Sequence, residues 1–405
     1  MIQRIKSTAM ALRQDLLAAG RIRKVEKKRH GNTVIKVGFL VQMAEIWDKE
    51  VDIFDEMNRR EEFETVLLVV PPFDYKSRTA TVDYQDNYFL KHYDNTIKVV
   101  CPDTSVIDLE ALDLDYVFYQ RPYNEYLPES LRPFEVSRYT KCSFIPYGYS
   151  AADNFLDMST SREFFDSIYF SFFDSRYVQN HCKKRYPVTS HFVHHFLDLG
   201  YPCLEQFLCS APNQGLKNIT WTPRWTFSSE AIASNFLKYK DDFLRLFSEH
   251  NEFHFVFRPH PLLFDEAENK GYMTRQEIDE YQSALLRSGV RYDSGTLVTD
   301  AIKNTDLLIT DFSSIVINYF LTGKPVIYCY SEARYTKEYS EMLECCYIAR
   351  TFRDVERYFN ELVKGNDYLK EKRLSLIQKN FLRHQGAAKR IVDTMENDFR
   401  KRMKK

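Results

Sequence analysis

Leu307-Leu308-Ile309-Thr310-Asp311-Phe312-Ser313-Ser314-Ile315-Val316-Ile317-Asn318-Tyr319-Phe320-Leu321-Thr322-Gly323-Lys324-Pro325-Val326-Ile327-Tyr328 is the stretch whose reading decides the fold. Residues 307–310 are apolar and bounded by polar residues, as expected of a parallel strand covered on both faces. Asp311, Ser313 and Ser314 follow where a helix begins, and all three are good N-cap residues. Gly323-Lys324-Pro325 stops that helix, and Val326 opens a second buried strand. A helix N-terminus at the carboxyl end of a parallel strand offers free N–H groups and a partial positive charge. This turn is therefore expected to hold a phosphate.

The same alternation runs outward in both directions. Apolar runs predict strands over 34–41, 66–70, 97–101, 116–119, 142–146, 168–172, 218–222 and 253–257. Helical patterns fall at 45–60, 174–185, 229–249 with Ser228 and Ser229 as cap, 275–288, 297–304, 352–364, 370–382 and 387–401. Strands alternating with helices predict an α/β fold with doubly wound parallel sheets. The segment from Gly200-Tyr201-Pro202 to Pro212-Asn213-Gln214-Gly215 is rich in turn formers and reads as a linker. Two α/β domains follow, 33–205 and 216–385, with a ligand expected in a cleft between them. A basic N-terminal helix over 1–32 and a C-terminal helix with a basic tail over 386–405 flank them.

Composition narrows the class. The 405 residues carry 56 Lys+Arg against 57 Asp+Glu, a net charge of -1 that gives no sign of a polyanionic partner, and no nucleic acid is expected. The 27 Tyr and 31 Phe against 12 Gly indicate an ordered, well-packed chain. The 8 Cys show no C-x-x-C spacing, so reduced cytosolic thiols are the default. Neither a spanning apolar segment nor a signal peptide is legible, and a cytoplasmic location is expected. The first thirty residues place Arg4, Lys6, Arg13, Arg21, Arg23, Lys24, Lys27, Lys28 and Arg29 among apolar residues at helical spacing. That pattern suits an anionic membrane surface, and equally a solvated extension or a cap on the domain.

Three loops carry candidate chemistry. Arg258-Pro259-His260-Pro261 closes the 253–257 strand, where two prolines fix the backbone around His260. His260 could donate to a phosphate oxygen or act as a general acid, and Arg258 could fork onto a phosphate; a rigid structural loop is the plainer alternative. Trp221-Thr222-Pro223-Arg224-Trp225-Thr226 closes the 218–222 strand, where the aromatic and cationic mix would suit a nucleotide with Arg224 on a phosphate, and both tryptophans are open to a packing role. Tyr147-Gly148-Tyr149-Ser150-Ala151-Ala152-Asp153 closes the 142–146 strand, where Asp153 could be a base or a helix cap. His191, His194 and His195 lack a completing ligand set and read as polar residues at a strand end. There is no G-x-G-x-x-G, Walker A loop, H-E-x-x-H or D-x-D, which argues against dinucleotide oxidoreductases and P-loop enzymes.

Taken in order, Gly200-Tyr201-Pro202, Thr222-Pro223-Arg224-Trp225, Arg258-Pro259-His260-Pro261, Leu308 to Ser314, Gly323-Lys324-Pro325-Val326-Ile327 and Gly386-Ala387-Ala388 resemble the CDP-glycerol glycerophosphotransferase family. These are the teichoic-acid and capsule polyol-phosphate transferases, and the resemblance spans roughly residues 140–395. It implies a GT-B fold of two Rossmann-like domains, a CDP-glycerol or CDP-ribitol donor held mainly by the C-terminal one, a glycan or lipid-linked polymer as acceptor, release of CMP and peripheral attachment to the inner face of a bacterial plasma membrane. It implies no cofactor. It also implies that Arg258, His260, Ser313 and Ser314 contact the pyrophosphate, with Asp311, Thr222 and Arg224 beside them. Tyr147 stands where the family carries a catalytic His, and Asn318 where an Asp is common. Tyr147, Asp153 and His260 are therefore the candidates for the catalytic step. A GT-B glycosyltransferase using a nucleotide sugar, or a catalytically impaired nucleotide-binding relative, is the alternative.

Overall fold

The computed structural model describes residues 2–28, 33–71, 82–152, 156, 162–186, 195–208, 215–228, 232–295 and 298–403. Asp153, His191, His194, Ser229, Glu230 and the linker segment 209–214 lie outside the described residues. The chain divides into two compact units. The first comprises Met1–Ser150, Asn154–Glu205 and Arg383–Lys405, and the second Ala151–Asp153 and Gln206–Leu382.

The first unit holds a seven-stranded sheet of β1 (Ile35–Val41), β2 (Phe63–Val69), β3 (Thr96–Lys98), β4 (Tyr116–Tyr119), β5 (Lys141–Phe144), β6 (Ile168–Phe172) and β7 (His195–Leu197), in the order β3-β2-β1-β4-β5-β6-β7. Every pairing is parallel. Continuous burial along β4, β5 and β6 follows from helices covering both faces, which is why these strands read as unbroken apolar runs. In β1, Gly38 is required by close approach, since a Cβ there would stand 2.8 Å from side-chain carbons of both Leu68 and Leu114.

The second unit repeats the plan with six parallel strands: β8 (Asn218–Thr222), β9 (His254–Phe257), β10 (Arg291–Tyr292), β11 (Leu307–Thr310), β12 (Val326–Cys329) and β13 (Tyr347–Ala349), ordered β10-β9-β8-β11-β12-β13. Its core is aromatic. Trp221 lies against Phe243 at 4.0 Å and against Phe257 at 5.0 Å, ring centre to ring centre. Trp221 is 3% exposed, which settles its role as packing.

Both sheets wind outward in two directions from a central pair, β1/β4 in the first and β8/β11 in the second. In such sheets the strand order reverses at that pair, and the crevice outside its carboxyl ends is where ligands bind. The two loops that matter in each unit are thereby fixed by topology.

Three sequence readings need correction. The helix expected over 45–60 is a 3-10 turn, Ala44–Lys49, followed by the helix Val51–Asn58. The helix expected from 229 begins at Phe236 and has Asn235 at its N-cap. The helix after Asp311 spans six residues, Ile315–Phe320, with Ser314 at its N-cap and no side-chain cap bond. It is too short to build the macrodipole assumed for phosphate binding. Gly323 ends this turn in the left-handed region at φ 76°, as its reading as a stop requires.

The N-terminal helix Ile2–Lys28 is fastened to the first unit at its carboxyl end, where Ala18, Ile22 and Val25 are buried. Met10, Leu16 and Leu17 are 64%, 63% and 57% exposed, and Arg13, Arg23 and Lys24 are exposed beside them. The buried Lys141 ammonium pairs with Glu26 of this helix at 3.2 Å and with Asp398 of the helix Ala387–Met403 at 3.0 Å. Tyr169 also donates to Asp398, at 2.6 Å. This last helix therefore belongs to the first unit and is no separate tail.

Candidate donor-binding site

The loops after β9, β8 and β11 are neighbours at the carboxyl end of the second sheet, and backbone bonds join the first two. Arg258 N–H donates to Trp221 O at 2.9 Å and His260 N–H to Pro223 O at 3.4 Å. The joint between the β8 and β11 loops is the Asp311 carboxylate. It is 2% exposed and accepts from Arg224 N–H at 2.7 Å, Asn235 N–H at 2.9 Å and the Ser234 hydroxyl at 3.1 Å. Burial pushes the Asp311 carboxyl up to about 6, against the pull of these donors and of the Arg224 charge. Its role in the site is to position the loops, since its oxygens are spent on them.

Arg224 is held in turn. Its Nε donates to Thr226 Oγ1 at 2.6 Å, its Nη1 to Phe312 O at 3.3 Å, and its guanidinium stands over the Phe312 ring at 5.0 Å. Burial works against its charge and Asp311 supports it. Phe312 is stacked on Tyr335 at 6.0 Å. Ser313 is half-buried and its hydroxyl accepts from Ile315 N–H at 3.4 Å; Ser314 is exposed.

His260 lies flat against Trp225, with ring centres 5.5 Å apart and planes 30° from parallel. Its Nδ1 accepts the Leu262 N–H at 3.2 Å, which assigns the proton of the neutral ring to Nε2. Desolvation first, then the Arg224 charge, lowers its pKa to about 4, although part of the residue is open to solvent. His260 is thus a neutral Nε2–H donor with an outward edge. A neutral imidazole is a poor proton source, so of the two roles read from sequence the geometry favours hydrogen-bond donation over general acid.

Two expected donor contacts are engaged elsewhere. Arg258 pairs with Asp293 at 2.9 Å and donates to Gly295 O at 2.6 Å, which braces the β9 loop against the segment after β10. Thr222 is buried, and its hydroxyl meets that of Thr310 at 2.9 Å across β8 and β11. Sequence reading missed Ser234 and Asn235. Asn235 Nδ2 reaches Cys329 O at 3.2 Å and Ser331 Oγ at 3.2 Å, and so ties in the loop after β12. Ser234-Asn235 directly precedes the amphipathic helix and is itself a good cap sequence, six residues beyond the Ser228-Ser229 pair that the pattern favours.

In the first unit, Tyr147 follows β5, and its hydroxyl meets that of Tyr123, from the loop after β4, at 2.8 Å. His195 packs edge-on against Tyr169 at 4.7 Å. Among the described residues no cluster of three or more His, Cys, Asp or Glu side chains could hold a metal ion.

The family described as CDP-glycerol:poly(glycerophosphate) glycerophosphotransferase matches residues 175–397, more than half of the chain. The chain belongs to this family. As a member it is a transferase of the CDP-glycerol glycerophosphotransferase type. No curated protein matches it by sequence. Among solved structures, it is similar to a variant of the wall teichoic acid polymerase TagF soaked with CDPG, at 12% identity over 100% of this chain and 99% of the other, with a TM-score of 0.59. It also resembles a UDP-GlcNAc 2-epimerase from Neisseria meningitidis bound to UDP-GlcNAc, at 13% identity over 89% and 99% of the two chains, TM-score 0.57. An S. aureus MnaA–UDP co-structure matches at 12% identity over 91% and 97%, TM-score 0.55. These likenesses establish the GT-B class of the fold.

Proposed function

We propose that this transferase moves a polyol phosphate, glycerol phosphate or ribitol phosphate, from a CDP-polyol to an acceptor hydroxyl of a teichoic acid or capsular polysaccharide, in cell-wall or surface-polymer assembly. The observation that carries the reading is the Asp311 joint. It fixes Arg224, the Ser313-Ser314 turn and, through Trp225, His260 on three adjacent loops at the switch point of the second sheet. The acceptor oxygen forms a bond to the β-phosphorus, the bond from that phosphorus to the bridging oxygen breaks, and CMP leaves with the electron pair. The acceptor proton passes to a base or to water.

Most of the work in phosphoryl transfer is positioning and charge stabilisation. Here the Arg224 guanidinium, the Nε2–H of His260 and the hydroxyls of Ser313 and Ser314 would meet the diphosphate charge, and the reading assigns no metal cofactor. Tyr147 in place of the family His leaves Asp153 or solvent to take the proton. The family membership favours a CDP-polyol over a nucleotide sugar as donor.

We further assign the chain to an anionic membrane surface as a peripheral protein. Exposed Met10, Leu16 and Leu17 beside exposed Arg13, Arg23 and Lys24 support this. Among the described residues no helix is long and apolar enough to cross a membrane.

CMP release from CDP-glycerol and CDP-ribitol, with His260→Ala as control and EDTA in a parallel arm, tests the reading. Turnover of one donor that EDTA leaves intact and the substitution reduces is expected. Equal inactivity of both proteins on both donors, with no CDP binding by calorimetry, would sink it.

A further inference from the structure

The first unit has its own switch point, between β1 and β4, and a built cluster stands there. Gln120, at the end of β4, is buried, and its Oε1 accepts Gln42 N–H at 2.7 Å and Met43 N–H at 3.0 Å from the loop after β1. This is the joint that Asp311 makes in the second unit, built with a neutral side chain.

The next residue, Arg121, is half-buried. Its Nη2 donates to Gln42 Oε1 at 3.0 Å, and its guanidinium lies over the Tyr126 ring at 4.4 Å. Its Nε is buried without a hydrogen-bond partner, and Glu125 is the carboxylate whose charge acts on it. Tyr123 meets Tyr126 edge-on at 5.9 Å and Tyr147 at 6.0 Å, so three phenol rings surround one cation. Desolvation lowers the Arg121 pKa against the influence of these tyrosines and of the Glu125 charge.

A half-buried guanidinium whose hydrogen-bond and ring partners are all neutral, with the Glu125 charge near it but not paired to it, keeps part of its desolvation cost uncompensated. Such a site is complete once an anion with planar or tetrahedral oxygens accepts its free N–H groups. Aromatic rings beside the cation offer apolar faces to a carbon chain or a sugar ring.

We propose that Arg121, with Tyr123, Tyr126 and Tyr147, forms a subsite in the first unit for a phosphodiester of the acceptor, so that the enzyme selects a phosphate-bearing polyol or glycan chain. The inference rests on the transferase reading and adds the residue that recognises the acceptor. Arg121 holds the acceptor phosphate and takes no part in bond making.

The test is calorimetry on the full chain, titrating a glycerol phosphate oligomer, free glycerol and CDP into the wild type, Arg121→Gln, Arg121→Lys and Tyr126→Leu. The oligomer should bind the wild type saturably and free glycerol should not. Arg121→Gln should weaken oligomer binding about ten-fold or more, with Arg121→Lys between the two. CDP affinity should stay unchanged in all variants, which also reports that they are folded. In turnover, the acceptor KM should rise in Arg121→Gln while the donor KM holds. Oligomer binding that Arg121→Gln leaves intact overturns the proposal, as does wild-type binding of glycerol as tight as that of the oligomer. Absence of CDP binding to the wild type would instead sink the transferase reading, so the two failures are distinguishable.

Discussion

Asp311 Oδ1 accepts the backbone N–H of Arg224 at 2.7 Å, and this bond ties the loop after β11 to the loop after β8, the central pair of the second sheet. Asp311→Ala leaves the N–H groups of Arg224 and Asn235 and the Ser234 hydroxyl without their acceptor. We expect a loss of roughly 3 kcal/mol in stability, since each stranded buried group costs about 1–3 kcal/mol, and a loss of CDP binding with it. Asp311→Asn keeps one acceptor oxygen and should fall between. Chemical denaturation and CDP calorimetry on both variants check the order.

His260 presents its Nε2–H and stays neutral because desolvation, then the Arg224 charge, lower its pKa to about 4. CDP affinity of the free enzyme should therefore show no step between pH 6 and 8 that depends on this residue. His260→Ala should weaken CDP binding by a similar factor across that range. A titration centred near pH 6.5 that vanishes in the variant would contradict the assignment.

Two buried groups give opposite pH slopes to stability. Glu50 is 1% exposed, both its carboxyl oxygens lack hydrogen-bond partners, and desolvation raises it to about 8. Its folded form keeps a proton that the unfolded chain gives up above 4.5, so stability falls as pH rises from about 4.5 to about 8, by roughly 1.4 kcal/mol per pH unit. Glu50→Gln should raise the melting temperature at pH 8 and leave it unchanged at pH 4. His384 is 0% exposed, accepts Tyr201 N–H at 2.9 Å and is lowered to about 3 by burial and by Arg383 and Arg390. The unfolded chain takes up the proton first, so stability here falls as pH drops from 6.5 toward 3. His384→Asn should flatten the acid side of the profile.

The N-terminal helix has a fixed end and an open end. Leu16→Glu with Leu17→Glu should cut sedimentation with anionic vesicles several-fold at low salt, and melting should be unaffected because both residues are exposed. Ile22→Ala should do the reverse, costing about 2–4 kcal/mol in stability with vesicle binding retained.

Most strands were legible because parallel strands buried on both faces leave an uninterrupted apolar run, and 116–119, 168–172, 218–222 and 307–310 coincide with β4, β6, β8 and β11. The strands β7, β10 and β13 went unread. They have three, two and three residues at sheet edges, too few for any period to show. The donor loops were legible from their turn chemistry, yet which side chain faces outward was not. Arg258 and Asp311 carry charges that suit a phosphate equally well on paper. Their use became apparent through Asp293 and through the Arg224 and Asn235 amides, partners distant in sequence. Arg121 escaped notice because its company, Gln42, Tyr126 and Tyr147, is gathered by sheet order alone.

The segment Arg383–Lys405 belongs to the first unit, where Arg383 pairs with Asp198, His384 bonds Tyr201 and Asp398 takes Tyr116, Tyr169 and Lys141. During synthesis, then, the first unit cannot close while it waits beside the exit tunnel. Its sheet can assemble, but Lys141, already paired with Glu26, gains Asp398 only after the whole second unit has been translated. A nascent chain arrested anywhere before residue 383 should present that half-finished sheet to chaperones, and cutting the polypeptide at the linker would part the first unit from its own last helix.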